Sequence, residues 1–343
     1  MKFKQMGTIA SLIVLAGFSG AHALDSGMST NVAIPDIKAK HVKAHITVLA
    51  DDKMAGRDAA SEGYDMAADY VAKRFKEMGL KPGADGSYFQ TVPLRAYNAA
   101  AEGSTMTLHS DHGDEELEIK VDFLPGSSSA DTAASVRGDL VFVGYGIDAP
   151  ERGHSDYEGL DVKGKIVVML SGAPTSFPSD ERAVYGASKR AMAEDHGAAG
   201  IITLFTDASE KRFTFDRASQ FFTRTRMTWT DENGTAKDDA SSVKVGGTLS
   251  PAAASKLFAN APKSYEDIRT EANEAMPKCF AMPYQATMSF KSQHEMVESK
   301  NVVGIIEGSD PALKGEYVVL SAHLDHVGTG RAVDGDTIYN GAL

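Results

Sequence analysis

Two stretches of the chain carry helical spacing, and many more carry strand patterning. Over residues 36–50, Ile37, Val42, Ile46 and Leu49 fall roughly on one helical face. Asp51, Asp52 and Gly56 break that pattern. Over 61–78, Tyr64, Ala67, Ala68, Val71, Ala72, Phe75 and Met78 keep helical spacing, with Ser61 placed to cap the first turn and Gly79 and Pro82 placed to end it. From Val92 onward the apolar runs shorten, and 106–108, 117–121, 140–143 and 166–170 read as strands between glycine-rich turns. A helix is predicted over 187–196, a strand over 201–205, and a short helix through 257, capped by Ser250 with Pro251 at its first position. Residues 206–242 are polar and poor in β-branched side chains, which predicts a long surface loop region. The short strands of this middle section predict a β-rich module of its own between two segments of different texture. Finally 301–306 (NVVGII) and 317–320 (YVVL) are continuous apolar runs, the pattern of strands buried on both faces.

Charge and composition narrow the class. In 343 residues, Lys plus Arg is 35 and Asp plus Glu is 47, a net charge of −12. That balance lacks the basic face a nucleic-acid partner needs, and it gives no grip on anionic lipid. Hydrophobic residues at 42% and charged residues at 24% match a globular chain with a sizeable core. A single cysteine, Cys279, excludes an intramolecular disulfide and a thiolate zinc site, and reads as a buried or idle thiol. Lys2 and Lys4, an apolar stretch from Ile9 to Phe18, and Ala21-His22-Ala23 compose a signal peptide over 1–23. Nothing later approaches the ~18 apolar residues of a membrane span. The expectation is an exported protein, periplasmic or extracellular, with no membrane attachment after cleavage.

The candidate chemistry lies beyond the second apolar run, which leads directly into Ser321-Ala322-His323-Leu324-Asp325-His326-Val327-Gly328. Functional groups collect past the carboxyl ends of strands in open α/β sheets. In an extended segment, residues two apart face one side. A metal-bound imidazole commonly passes its second N–H to a carboxylate, which fixes its tautomer. His323 as a metal ligand with Asp325 as its orienting partner fits that scheme. The triplet alone equally suits an ion pair or a capped loop. No Gly-x-Ser-x-Gly elbow occurs after the leader, which argues against a serine hydrolase.

Three long motifs carry a resemblance. NVVGIIEGSDP…YVVLSAHLDHVGTG…DGDTIYNGA resembles the secreted zinc-dependent aminopeptidases with a co-catalytic metal pair, whose relatives include glutamate carboxypeptidases and transferrin-receptor-like proteins. GRDAASEGYDMAADYVAKRFKEMGLKP…GSYFQTVPL, from Gly56 to Leu94, resembles the N-terminal helical segment of that family. GDLVFVGYGIDAPERGHSDYEGLDVKGKIVVML, from Gly138 to Leu170, resembles its inserted protease-associated domain. The resemblance implies an α/β fold: a three-layer αβα zinc peptidase domain, present only in its opening strands, with an inserted β-rich protease-associated domain. It divides the chain into a signal peptide (1–23), the helical segment of the peptidase domain (24–126), the insertion (127–280) and the first peptidase strands (281–343). It implies zinc as cofactor, two ions in an intact relative, and a peptide substrate with a free N-terminus. It makes His323 a zinc ligand and Asp325 the catalytic-site carboxylate that orients it. His326 is the nearest other histidine, and the remaining ones lie outside the motif.

The sequence departs from the family pattern after Asn340-Gly341-Ala342. A bridging aspartate is expected next, and Leu343 stands there. The glutamate pair that contains the general base, a further aspartate and a last histidine are not in the 343 residues. The expectation is a catalytically incomplete portion of an aminopeptidase, well folded in the inserted domain and poorly covered at residues 303–343. The alternative is a non-catalytic protease-associated binding module or pseudoenzyme. Substrate side-chain preference and oligomeric state are not legible.

Overall fold

The computed structural model describes residues 37–237, 240–274 and 276–341. The leader-like residues 1–23 lie outside the described residues, as do Ala342 and Leu343. Contacts divide the chain into two units, residues 1–48 and 49–343. In the first, helix α1 (Ala39–Leu49) begins within the segment whose spacing predicts it.

In the second unit, helix α2 (Glu62–Glu77) starts where the Ser61 side chain accepts the Tyr64 amide at 3.2 Å. It ends at Met78, and Gly79 turns away with φ 81°, a left-handed value glycine adopts without strain. Strands follow: β1 (Lys81–Pro82), β2 (Phe89–Ser110), β3 (Gly113–Glu116), β4 (Phe123–Pro125), β5 (Ala133–Phe142), β6 (Asp148–Ala149), β7 (His154–Ser155) and β8 (Ile166–Leu170). Helix α3 (Ser179–Asp195) leads to β9 (Gly200–Leu204). Short helices α4 (Asp207–Arg212) and α5 (Phe215–Ser219) lead to β10 (Arg226–Trp229). Then come β11 (Val245–Leu249), α6 (Pro251–Leu257), α7 (Tyr265–Glu274), β12 (Phe280–Val302), β13 (Gly304–Ile305), β14 (Thr329–Val333) and β15 (Asp336–Ile338).

The fold is mixed α/β around a nine-stranded sheet of order β10-β2-β12-β5-β8-β9-β11-β4, with β3 on β2. Strands β5, β8, β9 and β11 are parallel, and the pairs at either side are antiparallel. Helices cover both faces of the parallel part. Ile166, Val168 and Leu170 of β8 join a core with Leu257, Phe258, Tyr265 and Ile268 of α6, α7 and their link. Val167 and Met169 point the other way, into a core with Ala193 of α3. A strand buried on both faces needs an unbroken apolar run, and IVVML supplies it. Strands β2 and β12 form a long ribbon, in register from His109 with Gln285 to Phe89 with Val302, with a bulge between Ser289 and Lys291.

Several expectations need correction. No strand forms over 117–121, because the chain turns back on itself: Lys120 N donates to Phe123 O at 2.9 Å, and the Asp122 carboxylate accepts the Glu118 amide at 3.0 Å. Residues 206–242 are not an extended loop. Thr206 and Ser209 build a reciprocal capping box that starts α4, and Thr214 caps α5. The helix expected over 187–196 begins at Ser179, directly after Pro178. The run 301–306 is divided between the end of β12 and β13, which among the described residues pairs with β1 alone. The run 317–320 is not a buried strand. Val318 is 94% and Leu320 93% exposed, and no strand pairs with them among the described residues. A strand is held by its ladder partners, and apolar patterning supplies none. No helix among the described residues is long and apolar enough to cross a membrane.

Candidate functional site

The His323 loop is held in place by a turn that precedes α2. Asp51 accepts the Lys53 amide and opens a 3-10 turn over Asp52–Arg57. Ala55, Gly56 and Arg57 all have left-handed φ, at 45°, 71° and 52°. A run of such residues costs free energy and persists only where the surroundings hold it. Gly56 shows what holds it: a β-carbon there would lie 2.2 Å from the Gly328 carbonyl oxygen and 2.8 Å from that of Tyr339. The two backbones also bond directly. Gly328 N donates to Gly56 O at 3.0 Å, His326 N to Arg57 O at 2.9 Å, and Tyr339 N to Gly328 O at 3.0 Å.

Arg57 is the polar centre of this junction. The residue is only 6% exposed. Nε donates to Leu324 O at 3.1 Å, and Nη1 donates to Asn340 O at 2.8 Å and to Leu49 O. Burial pushes the guanidinium down from its ordinary value, and the Asp325 charge pushes it back up. Asn340 Nδ2 closes the junction on Ala50 O at 2.7 Å and Asp52 Oδ1 at 2.8 Å. The Tyr64 phenol is raised by burial, with the charges of Asp325 and Asp65 adding to the effect. Asp325 therefore sits within electrostatic reach of both Arg57 and Tyr64.

His323 itself points outward, with its side chain 81% exposed. Its Nδ1 lies 3.0 Å from the Asp325 carbonyl oxygen and 3.6 Å from Asp325 Oδ1. A carbonyl only accepts, so Nδ1 is the donor in this contact, and in the neutral ring Nε2 is then the acceptor. That tautomer suits a metal ligand. A catalytic zinc takes three protein ligands. Among the described residues, no three His, Cys, Asp or Glu side chains converge on one point. The described residues therefore do not make a complete zinc centre. The ring of His326 lies against the Gly341 backbone, where an added β-carbon would meet it at 2.6 Å. Cys279 is half-buried and its thiol is pushed up to about 12, by burial first and then by Asp156. An idle thiol is the result.

Sequence reasoning singled out His323 and Asp325, and it did not anticipate that Arg57 and Asn340 hold their loop. Gly56 and Arg57 open one of the resembling motifs and Asn340 closes another, which was the available signal. Their pairing across 283 positions was not readable from either motif.

No known family profile matches the chain, and no curated protein does. Among solved structures, it is similar to BSAP, a zinc aminopeptidase from Bacillus subtilis, at a TM-score of 0.29 and 17% identity, over 80% of this chain and 48% of that one. It is also similar to the psychrophilic subtilisin-like protease Apa1 from the Antarctic psychrotroph Pseudoalteromonas sp. AS-11, at 0.26 and 12%, over 58% and 35%. The chain thus spans about half the length of the first and about a third of the second. Likenesses this slight bear on neither fold nor function.

Proposed function

We propose that this chain is part of an exported zinc-dependent aminopeptidase, a hydrolase that removes N-terminal residues from peptides. In this reading residues 24–126 and 281–343 belong to the peptidase domain, and 127–280 are an inserted protease-associated domain. His323 is one metal ligand through Nε2, Asp325 fixes its ring, and Arg57 with Asn340 holds the loop. The observation that carries the reading is the His323–Asp325 geometry, with Nδ1 3.0 Å from the Asp325 carbonyl oxygen and the side chain 81% exposed. The motifs quoted above support it. In this reading the described residues supply one ligand of the zinc centre, and the 343-residue protein alone is expected to be inactive.

The test uses two preparations and aminoacyl p-nitroanilides. The protein from its natural source is expected to release the N-terminal residue, to stop when a chelator is added, and to lose the activity on His323→Ala. Release that survives both overturns the reading. The 343-residue protein with added zinc is expected to release nothing, and release by it would remove the claim of incompleteness. A second reading is a non-catalytic binding module, in which the described residues need no converging metal donors. Absence of release from the natural-source protein in the presence of zinc would put that reading first.

A further inference from the structure

A cavity of about 610 Å³ opens between α3, β8, β9, β11 and the segment after α5. That is the size range of sites that enclose a small ligand, ~300–1,000 Å³. In a chain of net charge −12, no Asp or Glu is among its described lining residues, whereas Lys189, Arg190, Arg226 and Lys244 are.

Two of those cations are engaged elsewhere. Arg190 donates to the carbonyls of Ala240 and Val243, and Lys244 pairs with Asp131 at 3.1 Å. Lys189 is different. It is buried, and its Nζ donates to Leu170 O and to Gly172 O, the latter at 3.0 Å. An ammonium has three donors, so one remains. Burial pushes this amine down to about 8, and the buried Asp156 partly offsets the shift. Beside it, just past the carboxyl end of β8, the Ser171 hydroxyl is shielded from solvent with no hydrogen-bond partner. A buried hydroxyl left unpaired costs free energy, and a ligand that pairs with it recovers that cost. Arg226, whose Nη1 reaches Ser127 Oγ at 3.3 Å, adds positive charge at the rim. Ile201 on β9, and Phe221 and Phe222 after α5, supply apolar wall, beside the hydroxyls of Ser127, Ser128, Thr203 and Thr248.

We propose that this cavity binds a small amphipathic carboxylate of the class of an N-acylated apolar amino acid or the C-terminal residue of a short peptide. The carboxylate sits between the Lys189 ammonium and the Ser171 hydroxyl, and the apolar body lies against Phe221 and Phe222. One buried cation and one hydroxyl match a single negative charge better than the two charges of a phosphate. The proposal is independent of the His323 loop and of the peptidase reading.

The experiment is calorimetric titration of the 343-residue protein with N-acetyl-L-phenylalanine and with N-acetyl-L-phenylalaninamide, equal in shape and different in charge. The acid is expected to bind saturably at one site, roughly tenfold or more tighter than the amide. Lys189→Met, which keeps length and apolar volume, is expected to abolish the difference between acid and amide. Ser171→Ala is expected to weaken the acid several-fold and leave the amide unchanged. Equal affinity for acid and amide in the unaltered protein overturns the proposal. So does no saturable binding of the acid, or a preference for the acid that survives Lys189→Met. If circular dichroism shows Lys189→Met unfolded, the acid–amide comparison and Ser171→Ala decide the question without it.

Discussion

Replacing Arg57 with methionine keeps the apolar stem and removes every donor of the guanidinium. Three carbonyls then lose their partner: Leu49, Leu324 and Asn340. Two of them, Leu324 and Asn340, belong to the segments that carry His323 and the Asn340-Gly341 turn. A hydrogen bond to a charged group contributes about 1.5–3 kcal/mol net, so these two together contribute at least about 3 kcal/mol. The junction opens locally rather than with the whole sheet, because the strands around β8 hold their own core. The assay is amide hydrogen exchange read by mass spectrometry. The amides of His326, Gly328 and Tyr339, which donate to Arg57 O, Gly56 O and Gly328 O, are expected to exchange about a hundredfold faster. Peptides covering β8 and β9 are expected to be unchanged. Unchanged exchange over 324–341, or an equal increase in β8 and β9, would refute the assignment of Arg57 as the residue that holds this loop.

Three further outcomes follow from the same geometry. Gly56→Ala puts a β-carbon against two backbone carbonyls at a left-handed φ, and neither backbone can yield cheaply; a loss of roughly 2–4 kcal/mol at the junction is expected, measured by the same exchange. Val168→Ala, in the fully buried centre of β8, is expected to lower global stability by about 2 kcal/mol in urea unfolding, whereas Val318→Ala, at an exposed position, stays within about 0.5 kcal/mol. The Cys279 thiol, raised to about 12 by burial, stays protonated when an unfolded thiol ionises near ~8.5, so its contribution to stability is complete below that pH and is lost as pH rises from there toward 12. Native protein at pH 8.5 is accordingly expected to resist iodoacetamide until urea unfolds it, and equally fast labelling in both states would contradict this.

Elements whose stability is local were legible in the sequence. Helix α2 carries its own cap in Ser61, its own apolar stripe and its own stop in Gly79, so each signal lies within a few residues of its effect. Helix α6 is similar, with Ser250 and Pro251 side by side. Strand β8 was legible because a double-faced burial site demands an unbroken apolar run. The ribbon of β2 and β12 was not. Their burial patterns alternate irregularly, and their pairing joins residues some 200 positions apart. Pairing at that separation leaves no local mark.

The same distinction explains the candidate site. The candidate residues sit together in one triplet, so His323 and Asp325 could be singled out from spacing and from the basicity that a metal ligand needs. The residues that hold the triplet come from the other end of the unit, and their role depends on backbone contact. Arg57 donates to carbonyls, which every residue has, and Gly56 is required because Gly328 and Tyr339 press on it at a left-handed φ. Neither fact changes residue type at the partner positions, so no pattern in one segment signals the other. The run 317–320 shows the converse. Its apolar letters call for a buried strand, yet burial requires neighbours on both sides, and among the described residues Val318 and Leu320 have none. Composition states what a segment would bury given a partner, and only the surrounding chain decides whether that partner is there.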